Sequence, residues 1–449
     1  MTDAQPQLRR EKTAIPEVRF LFRSNVLRLL EKARKLSDDV VHVKFGRSDY
    51  FLMIDPELIE ETLVSKQSFF GKQKYISFSL SAQKAVTRRL VASVVPFESH
   101  DQQRKRQQAA FHQERITAYG NMMTDITERY CSSWRDGQVI DIGHEMVKLT
   151  TLFVAKCLFN MDIESRAEEI ASDLTTFAGY YERMSNPLAD LLVKLPSNRK
   201  YETALHKVDA LILNLVNDRK KATQDPGDML SMLLKATNEQ GKEMSFEQLR
   251  DQVGIFLVVG HETSTNCLTW TWHLLSQNPA VEQKMHQEID SLFPNYEIPS
   301  ASDVSKLDYT TKIISESLRL YPPSWCLIRE TMKECTVGGY RFRAGSHIWI
   351  SQYLNHRDPR YFPEPEKFLP DRWTEEMKKN IPRFSYFPFG GGARRCMGEP
   401  FAWMEISLLL AMISRRWRLL PIEGQKVVPH AAITLVPKHG IKMRLEKRS

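Results

Sequence analysis

The sequence predicts a mainly α protein with small β-sheets, and two observations carry this prediction. Apolar residues recur at helical spacing over most of 100–277 and again over 309–320 and 400–413. Short segments that alternate in strand fashion appear in the first 54 residues and again after residue 326. Because strands from both ends of the chain would share small sheets, the sequence does not divide cleanly. We therefore expect one domain over residues 1–449, with 1–40 the least informative part.

The elements of the N-terminal half follow from local signals. Asp55-Pro56 begins a short helix, because an aspartate N-cap and a proline in the first turn both suit a helix start. Asp225-Pro226-Gly227 interrupts the helical pattern as a surface turn. The predicted elements are a helix over 18–36, a hairpin of strands 40–45 and 50–54, a helix over 56–64, a loop over 69–84 and successive helices over 100–221.

The C-terminal half begins with the longest helical pattern, 245–277. The helix 309–320 ends at Tyr321-Pro322-Pro323, since a residue before proline disfavours helical angles. An irregular stretch, 355–389, then precedes the last helix. The predicted elements are these two helices, strands 327–331, 335–337, 340–342 and 347–350, a helix over 400–413, and strands 433–436 and 441–445.

Bulk properties argue against several classes of protein. The longest apolar runs, such as 254–259, fall short of the ~18–20 residues that cross a bilayer, and 1–16 is polar. We therefore expect a cytoplasmic protein with no membrane anchor. The six cysteines are far apart and form no Cys-x-x-Cys pair, which argues against zinc or a disulfide framework. Despite the net charge of +8, we find no nucleic-acid-binding motif.

A glycine-rich loop over 389–398 places Cys396 just before the apolar helix 400–413. A thiol at the positive end of a helix is favoured in its thiolate form. The neighbouring glycines, among them Gly398, allow a flat ligand to approach the backbone. Arg394 supplies a cation for an acidic group on such a ligand. The pattern indicates a metal held through one sulfur within a carboxylate-bearing cofactor. The alternative is a buried cysteine in a tight turn.

A second candidate motif, 259–264, lies inside the long helix. Phe256, Val259, Gly260 and Thr263 share one helical face. Glycine inside a helix costs about 1 kcal/mol relative to alanine, so Gly260 needs a reason such as close approach of a cofactor. Glu262 and Thr263 form an acid–alcohol pair suited to delivering protons. The alternative is a glycine kink with a surface glutamate and a threonine whose hydroxyl bonds back to its own helix.

Phe389, Gly392, Arg394, Cys396 and Gly398 resemble the haem-binding signature of the cytochrome P-450 superfamily. The resemblance implies that Cys396 is the iron ligand of haem b, that Arg394 meets a propionate and that Phe389 packs beside the sulfur. The motif 259–264 is similar to the oxygen-activating motif of the same family, with Gly260 facing the cofactor. Glu262 and Thr263 are then catalytic.

Two further sets of residues resemble elements of this family. Glu316 and Arg319 match its Glu-x-x-Arg element, and Arg372 matches its Pro-x-Arg-Trp element. The three are expected to form a buried structural triad. His100 and Arg104, four apart on a helix, and Arg329 on a strand match positions that bind haem propionates. For His100 and Arg104 the alternative is an exposed basic helix face.

The resemblance implies the cytochrome P-450 fold and a monooxygenase that uses O2 and two electrons. Separate partners are expected, a ferredoxin or flavodoxin with an NAD(P)H reductase, and the protein is expected to be a monomer. The alternatives are a peroxide-driven peroxygenase of the same fold and a non-catalytic haem sensor or carrier. The net charge predicts a basic face that attracts an acidic electron carrier. The basic residues near this face are Lys105, Arg106, Arg395, Arg415 and Arg416.

The substrate pocket expected from the resemblance is mostly apolar. An apolar lining favours a terpenoid, a fatty acid or a steroid. The residues assigned to it are Tyr75, Phe78, Leu80, Phe256, Val259, Trp325, Leu327, Ile433 and Leu435.

Overall fold

The structure is a computed structural model that describes residues 15–20, 25–45, 48–72, 100–184, 199–238 and 241–448. The chain forms two compact units, each made of two segments that are distant in sequence. The first comprises Met1–Lys74 and Leu318–Cys396, and the second comprises Tyr75–Ser317 and Met397–Ser449. The expectation of one domain over 1–449 stays a prediction.

Helices account for most of the described elements, as the sequence predicts. In chain order they are α1 Val26–Arg34, α2 Pro56–Glu60, α3 His100–Gln108, α4 Gln113–Cys131, α5 Ile142–Phe159, α6 Ala167–Met184, α7 Arg199–Lys221, α8 Met229–Leu234, α9 Phe246–Gln277, α10 Pro279–Leu292, α11 Asp308–Leu320, α12 Gln352–Asn355, α13 Glu375–Asn380 and α14 Glu399–Ser414.

The strands are short. They are β1 Glu17–Phe20, β2 Val40–Phe45, β3 Ser48–Met53, β4 Phe70–Lys72, β5 Val139–Asp141, β6 Leu327–Thr331, β7 Cys335–Val337, β8 Tyr340–Phe342, β9 His347–Ile350, β10 Trp417–Pro421, β11 Pro429–Ala431, β12 Leu435–Pro437 and β13 Lys442–Lys447.

The first unit is built on a six-stranded sheet of order β1-β2-β3-β9-β6-β4. The β1–β2 and β3–β9 pairs are parallel, and the other pairs are antiparallel. Its core brings sheet residues such as Met53 and Ile350 together with Leu63, Phe384 and Phe387. Phe384 and Phe387 lie just before the Cys396 loop. The core of the sheet therefore supports that loop.

The second unit is organised around α9. Ser245 caps this helix, since its Oγ accepts the Gln248 N–H while Gln248 Oε1 accepts the Ser245 N–H at 2.9 Å. Asn278-Pro279 ends it. α9 packs on α5, and α14 packs on α4. The sheet β10-β13-β5 and the hairpin β11–β12 complete the unit.

The predicted fold class is confirmed, and most element boundaries fall within a residue or two of the expected ones. The helix predicted over 18–36 is wrong in its first part, because Glu17–Phe20 pairs with β2 as a parallel strand and the helix begins only at Val26. The strands β4, β5, β10 and β11 and the helices α8 and α10 were not predicted, and α13 lies within the stretch 355–389 that we expected to be irregular. β4 and β5 have three residues each and are defined by pairing with a distant strand, which leaves too few residues for a periodic pattern.

Among the residues that the structure describes, no helix combines the length and the apolar character needed to cross a membrane.

Candidate active site

The loop before Cys396 is held in a compact form. The Cys396 N–H donates to the Phe389 carbonyl at 2.9 Å, and residues Gly392–Arg394 form a 3-10 turn between them. The Ala393 N–H donates to Gln67 Oε1 at 3.1 Å. The thiol itself is exposed. The loop thus presents the sulfur and fixes the backbone behind it.

Gly392 is required by both backbone angle and space. Its φ of +67° is in the left-handed region, and an added Cβ would lie 1.8 Å from the Leu63 carbonyl oxygen. The loop can therefore follow this path only with glycine at this position. Gly398 is the N-cap of α14, which begins three residues after Cys396.

The other five cysteines differ from Cys396 in their surroundings. Burial raises the pKa of Cys267 and of Cys326 to about 12. Burial also raises the pKa of the other three, Cys131, Cys157 and Cys335. Raised pKa values disfavour the thiolate that binds metals. Of the six cysteines, all of which the structure describes, Cys396 alone is exposed.

Arg329 and Arg394 bring two cations together in the first unit. Arg329 is buried in β6, and its Nη1 donates to the Ile328 carbonyl at 3.0 Å. Burial, and then the positive charge of Arg394, lower the pKa of Arg329 to about 10. Within the described ranges no carboxylate meets the charge of Arg329. This environment favours an anionic ligand group beside the two arginines.

His356 fixes the start of the Cys396 loop, although sequence reasoning assigned it no role. Its Nε2 accepts the Phe387 N–H at 2.9 Å, and its Nδ1 lies 3.4 Å from the Leu318 carbonyl oxygen. The imidazole is completely buried, and burial lowers its pKa to about 3. Because Nε2 accepts, the neutral ring carries its proton on Nδ1. The motif 356–359 was the available signal in the sequence.

The predicted structural set is buried as expected for Glu316 and Arg319, both fully inaccessible. Arg319 donates to three backbone carbonyls, those of His356, Pro365 and Lys367, at 2.6–3.0 Å. Arg372 is only half-buried and donates to the Pro363 carbonyl at 2.7 Å and the Glu364 carbonyl at 3.2 Å. Both arginines thus bind the irregular stretch 363–367. Their role as a triad with Glu316 stays a prediction.

One face of α9 remains accessible in the second unit. Val259 is 57% exposed, and Phe256 and Thr263 are half-buried at positions i−3 and i+4 from it. The Thr263 hydroxyl donates to the Val259 carbonyl at 3.0 Å. Most of the residues from Ser264 to Leu275 are fully buried. An apolar stripe that ends in a hydroxyl is therefore available to a ligand where the helix leaves the core.

Gly260 has a packing reason in addition to the predicted approach of a cofactor, which stays a prediction. A Cβ at this position would lie 3.0 Å from Cγ2 of Val154, so the glycine allows α9 and α5 to pack closely. His261 is buried, and its Nδ1 lies 2.6 Å from the Leu257 carbonyl oxygen. Burial lowers the pKa of His261 to about 4, so it is a packed neutral residue.

Glu262 accepts a hydrogen bond from a residue far outside the motif 259–264. Thr434 Oγ1 donates to Glu262 Oε1 at 2.6 Å, and Thr434 Oγ1 accepts a hydrogen bond from Asn266 Nδ2 at 3.0 Å. The carboxylate is therefore held on the side of α9 that contacts the β11–β12 hairpin. A polar residue between apolar Ile433 and Leu435 was the signal in the sequence.

α3 carries the predicted propionate-binding residues of the second unit. It begins at His100, whose side chain lies outside the described residues, and Arg104 is half-buried. Gln252 of α9 anchors this helix, since its Oε1 accepts from Gln103 Nε2 at 2.6 Å and from Gln107 Nε2 at 2.8 Å. Arg104 is thus fixed on a helix tied to α9.

The predicted pocket residues have different environments. Ile433 is 41% exposed, whereas Leu435 is fully buried and belongs to the core. Trp325 is also buried and packs edge-on against Trp349 with 6.2 Å between ring centres. Leu327 is half-buried next to Gly390. Tyr75, Phe78 and Leu80 lie outside the described residues.

Arg415 does not belong to a basic face. It is 1% exposed, and it binds Glu128 and the Tyr296 carbonyl. Arg416 also pairs with Glu128, at 2.9 Å. Lys105 and Arg395 are exposed. The expectation of a basic surface at Arg415 is wrong because a buried guanidinium requires an internal carboxylate.

Glu405 of α14 is a buried acid in the second unit. Neither carboxyl oxygen has a well-formed hydrogen bond among the described residues. Burial raises its pKa to about 8, and the nearby Ser264 hydroxyl opposes the rise only in part. Burial therefore favours the neutral form of Glu405 at pH 7.

These features fit a thiolate-ligated haem. In the first unit, Cys396 has an exposed sulfur, and Arg329 and Arg394 carry positive charge of the kind that binds propionates. In the second unit, α9 has an apolar stripe with an acid and an alcohol. This chemistry is typical of a haem-thiolate oxygenase. The chain belongs to the cytochrome P-450 family, since the family profile described as Cytochrome P-450 matches residues 14–444. It is accordingly a monooxygenase, an oxidoreductase that incorporates oxygen from O2.

Curated relatives extend over most of the chain. Cyclooctatin synthase of Streptomyces melanosporofaciens is 37% identical and covers 88% of this chain and 86% of its own. Cyclooctat-9-en-7-ol 5-monooxygenase of the same organism is 36% identical, covering 86% and 83%. Pentalenene oxygenase of Streptomyces avermitilis is 28% identical, covering 92% and 91%.

Solved structures share the fold. A crystal structure of a cytochrome P-450 haem domain aligns with a TM-score of 0.81 over 94% of this chain and 93% of its own, at 23% identity. A cyanobacterial cytochrome P-450 with bound retinoic acid aligns with a TM-score of 0.81 over 93% and 94%, at 24% identity.

Proposed function

We propose that this protein hydroxylates or otherwise oxidises a terpenoid. The observation that carries the proposal is the exposed Val259 on the same face of α9 as Thr263. An apolar side chain at this position favours an apolar substrate, because few polar groups are available there to bind a polar one. Relatives above 35% identity whose names refer to cyclooctatin support a terpenoid over a fatty acid or a steroid.

The proposed cofactor is haem b with Cys396 as the thiolate ligand. Arg329 and Arg394 would bind its propionates, His100 and Arg104 would be further contacts, and Phe389 would pack beside the sulfur. When bound, a thiolate-ligated haem supplies the chemistry that cleaves O2.

The residues of α9 control water and protons. Phe256 and Val259 exclude water from the substrate, which limits unproductive reactions. The Thr263 hydroxyl donates its hydrogen bond to the Val259 carbonyl, so the Thr263 oxygen remains able to accept a hydrogen bond. Glu262 carries protons inward from solvent as the acid of the pair.

Electrons come from separate proteins in this proposal, a ferredoxin or flavodoxin with its NAD(P)H reductase. Exposed Lys105 and Arg395 and the net charge of +8 support an acidic carrier, because opposite charges speed the encounter.

A spectral titration of the ferric holoprotein tests the substrate class. We expect cyclic terpenoid hydrocarbons and alcohols to shift the haem band by displacing water, and fatty acids and steroids to cause no shift. Binding of a fatty acid alone would contradict the terpenoid assignment. Product formed with peroxide but never with O2 and electron carriers would show a peroxygenase instead.

Two exposed valines allow a matched test of the pocket. Val259→Phe should weaken terpenoid binding about 10- to 100-fold, since overpacking costs about 1–3 kcal/mol. Val139 of β5 is 51% exposed, and Val139→Phe should leave the affinity unchanged. Equal effects of the two substitutions would remove Val259 from the pocket.

A further inference from the structure

Glu262 accepts a hydrogen bond from a directional series of donors, Asn266 and then Thr434. An amide nitrogen only donates, so Asn266 Nδ2 gives a proton to Thr434 Oγ1 at 3.0 Å. The single hydroxyl proton of Thr434 is then directed to Glu262 Oε1 at 2.6 Å. Thr434 and Asn266 are 6% and 5% exposed. The hydroxyl is therefore oriented from both sides inside the protein.

These hydrogen bonds are part of a larger set of contacts that attaches the β11–β12 hairpin to α9. Glu262, Asn266 and Trp270 are four residues apart, so they follow one stripe of the helix. Trp270 Nε1 donates to the Leu435 carbonyl at 2.9 Å. The exposed Ile433 lies next to Thr434 in the sequence. The stripe thus holds residues 434–435 through two hydrogen bonds to the Thr434 hydroxyl and one to the Leu435 backbone.

We propose that Thr434 is a positioning residue that fixes Glu262 for proton supply and links this acid to the seating of the 429–437 hairpin. The inference rests on the proposed function, since it assigns a role within O2-dependent catalysis. A half-buried glutamate has several rotamers, and a short hydrogen bond from a buried hydroxyl selects one. Catalytic groups act efficiently when neighbouring contacts hold them in place.

Three variants separate this role from simple packing. Thr434→Val removes the hydroxyl and keeps the branched shape, while Thr434→Ser keeps the hydroxyl. Trp270→Phe removes the other hairpin contact without touching Glu262. If Thr434 positions the acid, only the valine variant should impair proton supply.

The first measurement is product formed per NAD(P)H consumed with O2 and electron carriers. Thr434→Val should lower this ratio about ten-fold, with more peroxide released and a larger solvent isotope effect, because a hydrogen bond to a charged group is worth about that factor. Thr434→Ser and Trp270→Phe should remain within about two-fold of the parent. With hydrogen peroxide in place of O2 and electrons, all variants should match the parent.

The second measurement needs no turnover. Thermal midpoints of the holoprotein are compared for Glu262→Leu, Thr434→Val and the double variant. If the two side chains contact each other directly, the double variant should lose less than the sum of the single losses.

The outcomes are distinct. Three results would each overturn the positioning role. They are an unchanged ratio of product to NAD(P)H in Thr434→Val, an equal fall of this ratio in Trp270→Phe, and additive shifts of the thermal midpoints. If the parent protein shows no thiolate band in the carbon monoxide spectrum and forms no product by either route, the proposed function is wrong. The role in proton supply then falls with it, while the thermal midpoints still decide whether Thr434 holds Glu262.

Discussion

Arg394 places a second positive charge near the buried guanidinium of Arg329. Burial and this charge together lower the pKa of Arg329 to about 10, and no carboxylate among the described residues compensates it. A buried cation beside a second positive charge destabilises the folded protein and favours binding of an anion. The pair is therefore better explained by a ligand with acidic groups than by the stability of the fold.

Arg329→Gln should weaken haem retention about 10- to 100-fold. The reason is the loss of a charge-assisted hydrogen bond, worth about 1.5–3 kcal/mol. The apoprotein should be no less stable, because the variant removes a buried cation and its repulsion with Arg394. Haem transfer to an acceptor globin measures the first effect, and denaturant unfolding of the apoprotein measures the second.

Arg395→Gln is the control, since Arg395 is an exposed arginine next to Arg394 in the chain. It should leave haem retention unchanged. Equal haem loss in both variants would point to general electrostatics in place of a specific contact at Arg329.

The fold could be predicted from periodicity wherever elements are long or strictly alternating. The α9 helix was predicted because its capping residues and apolar pattern agree locally, and the strand Val40–Phe45 because it alternates. The strand Glu17–Phe20 could not be predicted in this way. Its conformation depends on pairing with β2 more than twenty residues away.

The candidate site shows the same division. The loop around Cys396 could be predicted from its own motif, because the motif's Gly392 lies where the backbone angle and the neighbouring Leu63 carbonyl oxygen allow only glycine. Thr434 and His356 could not be assigned from local sequence, because their partners Glu262 and Phe387 are 172 and 31 residues away. Arg415 appeared to be a surface cation because its partner Glu128 is 287 residues away in the chain.

Gly392→Ala should destabilise the protein strongly and reduce haem content. Two costs add here: the left-handed angle, about 1–2 kcal/mol, and a clash with the Leu63 carbonyl oxygen. Gly424 has a similar φ of +74° with no atom within 4 Å of an added Cβ. Gly424→Ala should show the angle cost alone. Equal unfolding free energies for the two variants would exclude the clash.

His356→Leu should reduce the free energy of unfolding at pH 7 by about 1–3 kcal/mol, because the Phe387 N–H loses its buried acceptor. The fraction of reduced protein with a thiolate-type carbon monoxide spectrum should also fall. His356→Gln offers an amide oxygen and should recover part of both losses. Exposed His439→Leu is the control and should change neither quantity.

The effect of His356→Leu should shrink in acid. The pKa of His356 is about 3 in the folded protein and 6.5 ordinarily. Below pH 6.5 the unfolded chain therefore binds a proton at His356, whereas the folded protein does not bind it until about pH 3. As the pH falls through this range, the free energy of unfolding of the parent decreases by about 1.4 kcal/mol per pH unit through His356, and that of the leucine variant does not. A difference between parent and variant that stays constant from pH 7 to pH 4.5 would contradict the neutral, buried state.

Glu405→Gln should stabilise the protein increasingly as the pH rises from 5 to 8. Burial raises the pKa of Glu405 to about 8 in the folded protein, against 4.5 ordinarily. Above pH 4.5 the unfolded chain releases a proton that the folded protein retains, so the parent loses about 1.4 kcal/mol per pH unit until about pH 8. Denaturant unfolding of the holoprotein at four pH values measures the difference. Exposed Glu423→Gln is the matched control and should show a constant difference from the parent. A constant difference for Glu405→Gln as well would mean that this carboxyl is ionised at neutral pH, and that an unrecognised cation or water reaches it inside the second unit.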